Sequence, residues 1–158
     1  RNTHPAMVAE ISQSPRKDSI LQFSVFADNK VGRLNELVHR FASRDVHIVA
    51  LSQLDSTECN IMRVIVDYPD TARDLLTRFR YAFSETLVIG VEIATEAELR
   101  SITTALLEAE ITLHYLYPFL MRPNGRTGLA MSVDDHAFAE TALQKKGIRC
   151  LTHSDIAR

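Results

Sequence analysis

The residues best spaced for chemistry in this chain lie in one loop, "ADNKVGRL", at positions 27–34. A polar Asp28-Asn29-Lys30 turn follows an alternating run and reaches Gly32, with no other glycine in the first eighty residues. Glycine lets a backbone turn sharply and leaves no side chain over the amides. Leu34, Leu37, Val38 and Phe41 then recur at helical spacing, so the bared N–H groups belong to a helix start. Together with the helix dipole such groups suit a carboxylate. Asn29 offers a donor and an acceptor to an α-amino group. The plainer reading, in which Gly32 only makes the turn, fits these residues equally well.

Other candidates for chemistry fall away. The six histidines, His4, His39, His47, His114, His136 and His153, never pair at i+2 or i+4, the spacing a metal pair needs on a strand or helix. Asp134 and Asp135 read as a helix cap with first-turn charge rather than a cation site. No nucleophile-elbow motif accompanies the serines. Cys59 and Cys150 lack ligand spacing and read as buried free thiols of a reducing compartment. The expectation is a protein that is not an enzyme and holds neither cofactor nor metal. A net charge of −2, from 18 basic and 20 acidic residues, invites no nucleic acid. No apolar run approaches the ~20 residues of a membrane span, and no signal-peptide pattern precedes the first strand. A cytoplasmic location is expected.

The elements that must position the loop follow from periodicity. Residues 1–16 carry two prolines and no sustained period, and read as an arm. "SILQFSVFA" is a strand, the loop leads into a helix, and "VHIVALSQL" (46–54) with "NIMRVIV" (60–66) form a hairpin around "DSTEC". Asp67 and Pro69 announce a second helix with a stripe of Ala72, Leu75, Leu76, Phe79 and Phe83, and strand returns over residues 87–94. The second half repeats this. A helix carries Leu99, Ile102, Leu106 and Ala109, then come "ITLHYLYPFLM", the turn "RPNGR", "TGLAMSV", a capped helix from Asp134 and "IRCLT". Val46 aligns with Ile111 at an offset of 65, and Leu76 with Leu143 at an offset of 67. The difference falls in the hairpin loop, where insertions are tolerated.

The order strand-helix-strand-strand-helix-strand, twice, defines an α+β protein of two ferredoxin-like βαββαβ units. Right-handed crossovers place both helices on one face of each antiparallel sheet. The expected division is an arm over 1–16, a first unit over 17–86 and a second over 87–158. On strand 46–54 both faces are apolar, so the units must pack together, or two chains must, or both. The fold hosts unrelated functions. RNA binding would need aromatics on strand 60–66, a copper carrier two cysteines on the first loop, and an acylphosphatase an arginine cradle there; none is present.

The stretch "FADNKVGRLNELVHRFASRDVHIVAL" resembles the ACT domain, the small-molecule-binding regulatory module of amino-acid metabolism. The family loop commonly reads D-x-P-G-x-L. Asp28, Asn29, Gly32 and Leu34 match it, Val31 stands where proline is usual, and His47 stands where an asparagine frequently helps hold the ligand. The similarity spans residues 20–158, and "ITLHYLYPFLM" is similar to the second strand of stand-alone tandem ACT proteins of bacteria. The resemblance implies two ACT units side by side in one eight-stranded sheet. It places a free amino acid or similar small zwitterion at the seam between the first loop of one unit and the second strand of its neighbour. By that likeness Asp28, Asn29, Lys30, Val31, Gly32, Arg33 and Leu34 supply the loop, His47 and Ile48 the strand start, and Thr112 and Leu113 the counterparts across the seam. The second unit's "IATEAEL" lacks a glycine, and Glu96 and Glu98 would repel a ligand carboxylate, so the ligand is expected in the first. What is implied is a homodimeric amino-acid sensor or regulatory subunit, with a metabolic enzyme as a further partner. The alternatives are a ligand-free interaction module and a regulator resembling the tandem ACT protein that controls glycine cleavage through protein contacts.

Overall fold

A computed structural model describes residues 18–120, 122 and 125–157; the expected arm over 1–16 lies outside them. The chain runs β1 (Ile20–Ala27), α1 (Arg33–Ser43), β2 (Ile48–Asp55), β3 (Asn60–Val66), α2 (Pro69–Arg78) and β4 (Ala82–Ile93). It continues with α3 (Glu96–Glu108), β5 (Leu113–Pro118), β6 (Thr127–Val133), α4 (His136–Lys145), β7 (Cys150–Leu151) and α5 (His153–Ile156). In β1, Phe23 and Val25 face the helices, where Leu37 and Phe41 of α1 and Ala72, Leu75 and Leu76 of α2 close a core over Met62, Val64 and Val66. The second half builds an equivalent core from Ile89, Val91, Ile102, Leu106, Met131 and Leu143.

The two ferredoxin-like units share a strand. The first half of β4, Ala82 to Val88, pairs antiparallel with β1. Its second half, from Ile89 to Ile93, pairs with β6 on one side, and Gly90 and Val91 pair with β7 on the other. Strand order is therefore β2-β3-β1-β4 in one unit and β5-β6-β4-β7 in the next. The joined sheet has seven strands, not the eight of two complete units, because β4 closes one and opens the other.

The sheets also curl so that their helix-free sides meet. Ile20, Val49, Ala50, Ile65 and Val88 of the first unit pack against Tyr117, Phe119, Ala130, Leu151 and Ile156. A bulge between Ile48 and Ala50 turns both Val49 and Ala50 into this seam, which explains the apolar character of both faces of β2. At its edge the Leu120 N–H donates to the Val49 carbonyl at 2.8 Å. Polar groups lie inside as well: Ser24 and Ser132 are buried on these faces, and Gln22 is fully buried. Its Nε2 donates to the Tyr115 hydroxyl at 2.8 Å, and the Tyr117 hydroxyl donates to its Oε1. The amide is thus satisfied across the seam, which removes most of the penalty for burying it. Burial drives the Tyr117 phenol well above its ordinary range.

All four longer helices end alike. The N–H two residues past the cap reaches back to a helical carbonyl, Val46 to Phe41, Tyr81 to Leu76, Ile111 to Leu106 and Ile148 to Leu143. This is the Schellman closure, and it needs a left-handed residue in between. Gly147 is the expected choice; Asp45, Arg80 and Glu110 take the same conformation at φ 55°, 57° and 55°. The closure at Arg80 corrects the sequence reading. It stops α2 at Arg78, so Phe79 only caps the helix and Phe83 lies on β4, which begins at Ala82 rather than residue 87. The spacing of Phe79 and Phe83 fits a helix, yet Tyr81 and Phe83 also alternate as a strand requires, and both pack against the first core.

Gly128 has no room for a side chain, since a Cβ there would lie 2.6 Å from the Phe119 ring in the seam. Gly128→Ala should therefore destabilise the protein by about 1–3 kcal/mol. In urea unfolding, the same change made on a Phe119→Ala background should cost clearly less than it does alone.

Candidate functional site

At the end of β1 the chain crosses to α1 through Gly32, which is left-handed at φ 89° and stands at the N-cap without a side-chain hydrogen bond to the first turn. The helix start is therefore uncapped. It opens on a shallow cavity of about 400 Å³ lined by Asn29, Lys30, Val31, Gly32, Arg33, Leu34 and Asn35, with Gln53, Asp55 and Asn60 from the tips of β2 and β3. Asp55 pairs with Asn60, which pairs with Ala27, so the strand register itself brings the hairpin beneath the loop. Asn60 is 93 % buried, and its Oδ1 has no hydrogen-bond partner among the described residues. A buried acceptor in that state costs on the order of 1–3 kcal/mol until a donor arrives.

The charged loop residues are occupied with one another. Arg33 donates to both Asp28 oxygens, from Nε at 2.6 Å and Nη2 at 3.0 Å. That hydrogen bond, with smaller help from the Lys30 amide and charge, lowers the Asp28 carboxyl from 3.8 to about 2. Glu36, in the first turn of α1, is held away from the helix start by the Tyr81 hydroxyl at 2.8 Å and by Arg40 and Arg33. These bonds lower its pKa, the Tyr81 bond most. Asn29 donates Nδ2 to the Ser56 carbonyl at 2.9 Å and ties the loop to the hairpin. Val31 stands fully exposed at the loop's apex.

His47 and Ile48 do not line this cavity. They lie at the far end of β2 from Asp55, eight residues along, or roughly 25 Å at 3.3 Å per residue. There the His47 N–H donates to Asp67 Oδ1 at 2.8 Å, and its ring contacts Asp67 Oδ2 at 3.0 Å. Thr112 repeats this position: its N–H donates to Asp134 Oδ1 at 3.2 Å, and the Asp134 N–H returns a bond to the Thr112 carbonyl. Leu113 begins β5 beside it. The expected residues thus separate into a loop group around the cavity and two strand-start positions, each held by the aspartate before the next helix. Gln53, Asp55 and Asn60 were not read from the sequence. Their only signal there is polarity at the "DSTEC" turn, which Asp55 opens and Gln53 and Asn60 flank.

The second unit's loop is closed from within. Thr95 caps α3 by accepting the Glu98 N–H, and the Glu98 carboxylate turns back to accept the Ala94 N–H. Arg126 Nη2 holds both Glu98 oxygens at 3.0 and 2.8 Å. A carboxylate of the chain itself thus sits at this helix start.

Two ferredoxin-like units on one curled sheet, with an uncapped helix start in the first alone, define the class of protein the geometry describes. The chain belongs to the ACT domain pair family, whose family model matches residues 18–157. No curated protein matches it. The crystal structure of a Bacteroides thetaiotaomicron protein is similar over 89 % of this chain and 96 % of that one, with a TM-score of 0.81 and 25 % identity. The ligand-free regulatory subunit of aspartate kinase from Thermus thermophilus is similar over 82 % of this chain and 91 % of its own, with a TM-score of 0.60 and 13 % identity. The corresponding subunit from Thermus flavus gives 0.55 at 10 % identity, over 82 % and 94 %. At those identities the Thermus subunits speak for the fold.

The Asp28–Arg33 pair carries a pH signature. Because the folded carboxyl is lowered, its contribution to loop order is complete above pH 4 and fades as pH falls toward 2. The Asp28 side-chain carbon should titrate near 2 by NMR, and Arg33→Ala should return its midpoint toward 3.8.

Proposed function

We propose that this protein is a non-enzymatic regulator of amino-acid metabolism that binds a free amino acid or similar small zwitterion at the start of α1. One observation carries the reading: the buried, donorless Oδ1 of Asn60 in a cavity roofed by an uncapped helix start. A carboxylate would settle on the bared amides behind Gly32. An ammonium group would supply the donor that Asn60 lacks, with Asp55 and Gln53 beside it. The loop residues Asn29 through Leu34 shape the cavity, while Asp28 acts through Arg33. His47, Ile48, Thr112 and Leu113 would join a ligand only if another copy brought them to it. The regulatory role is supported by the ACT-pair family and by the likeness to a fold used by aspartate kinase regulatory subunits.

The protein is further proposed to act as a homodimer. Leu54, Ile61, Phe26 and Ala82 are neighbours in register across β2, β3, β1 and β4. They share the helix-free side of the sheet whose other half is already covered by the second unit, and Phe26 and Leu54 are 40 % and 48 % exposed. A second copy closing on this row would extend the existing seam. The cavity residues Gln53, Asp55 and Asn60 alternate with Leu54 and Ile61 on the same strand tips. Ligand and partner would therefore grip opposite faces of one hairpin, which gives a ligand the differential contacts that regulation requires. The same row favours a second reading, a ligand-free module that docks onto an enzyme.

A thermal-shift screen with the twenty amino acids separates the two. A ligand at 100 times its dissociation constant adds about 2.7 kcal/mol of stability. The expected result is a clear rise in Tm with one or a few amino acids, abolished by Gly32→Val because valine strains the left-handed turn. A Gly32→Val protein that responds fully removes the loop as the site, and silence from all twenty favours the docking module. Sedimentation should show a dimer that Phe26→Asp converts to monomer.

A further inference from the structure

We infer a second ligand site in the other unit, where a small primary ammonium compound would seat on Glu92. β7 pairs with β4 only at Gly90 and Val91, so from Glu92 onward that edge of β4 carries no strand. The chain leaving α4 crosses beside this edge instead, and a cavity of about 360 Å³ remains, lined by Glu92, Glu98, Ser101, Arg126, Lys146 and Arg149. It lies within the ordinary size range of small-molecule pockets.

The charge pattern around the cavity has one gap. Lys146 is held by Glu108 at 2.7 Å, and Arg149 by Asp155 at 2.7 Å. Arg126 spends Nη2 on Glu98, and its Nε stays 3.8 Å from Glu92 Oε2, beyond hydrogen-bond reach. The Glu92 side chain is only 12 % exposed, and its Oε1 is buried with no hydrogen-bond partner among the described residues. Among the described residues the four carboxylates Glu92, Glu98, Glu108 and Asp155 thus face three cations, and Glu92, left with only the loose 3.8 Å ion pair to Arg126, is the least well answered. A buried carboxylate oxygen without a donor is costly to keep. A primary ammonium brings both the charge and the N–H groups. Lys146 and Arg149, at the more open end, have donors to spare for a carboxylate if the ligand has one. This site uses side chains where the loop site uses backbone amides, and it does not depend on the loop reading.

The test is calorimetric titration of the full chain with the twenty amino acids and, separately, with ethanolamine, putrescine, cadaverine and agmatine. Wild type, Gly32→Val and Glu92→Gln are compared. The inference expects an ammonium compound to bind wild type and Gly32→Val alike, at least tenfold more weakly to Glu92→Gln, and not at all once its nitrogen is acetylated. Preference for an amino acid over the simple amines would show that the carboxylate is read as well. Without ligand, Glu92→Gln should melt no lower than wild type, because it removes a charge that Arg126 answers only loosely. A markedly lower Tm would make Glu92 a structural partner of Arg126 and overturn the inference. Binding lost in Gly32→Val but unchanged in Glu92→Gln would overturn it while leaving the loop site standing. Binding lost only in Glu92→Gln would uphold it against the loop reading. No binding by any compound would sink both.

Discussion

A single twelve-residue strand holds this molecule together. β4 completes the sheet of the first unit with its opening residues and founds the sheet of the second with its last five. Neither unit has a full complement of four strands without it. The sharing also fixes geometry, because two sheets threaded on one strand keep a set distance and twist relative to each other. It is this that lets their helix-free faces curl together and bury the seam around Val49, Val88, Phe119 and Leu151. A sheet face that ordinary ferredoxin-like units must cover with a separate partner is half covered here by the chain itself.

The seam leaves the two ends of the molecule different. In the first unit the helix start has nothing to cap it, its nearby acid Glu36 is drawn off by Tyr81 and Arg40, and Asn60 waits below. In the second unit Thr95 and Glu98 cap the equivalent helix, and Arg126 locks the cap. Of the two equivalent loops, only the first is open. Among the described residues, the buried side-chain oxygens without a hydrogen bond, on Asn60 and Glu92, lie on walls of cavities and not in the apolar cores. Groups that weaken a fold are most easily understood where something else can complete them.

Much of this was legible in the sequence. The loop around Gly32, the stripe of α1 and the doubled order of elements follow from periodicity and turn chemistry. So does the match of Asp67 with Asp134, which perform the same task on His47 and Thr112. Three things were not. A strand that ends one unit looks no different from a strand that begins another, so the double duty of β4 left no mark. The left-handed joints at Asp45, Arg80 and Glu110 use residues that do not announce a helix stop, so spacing alone runs α2 on past Arg78 and starts β4 late. Gln53, Asp55 and Asn60 become cavity walls only through strand register. Glu98 was read as repelling a ligand; its turn back onto Ala94 is a local fold that charge counting does not foresee.

The Gln22 cluster gives the molecule a property of a different kind. Tyr115 and Tyr117 stack at 6.3 Å across from that amide, and Arg63 lies 3.8 Å above the Tyr115 ring. The chain has four tyrosines and no tryptophan. Half of its tyrosines therefore sit where the two sheets touch, so its tyrosine emission works as a built-in optical gauge of how tightly the halves are closed.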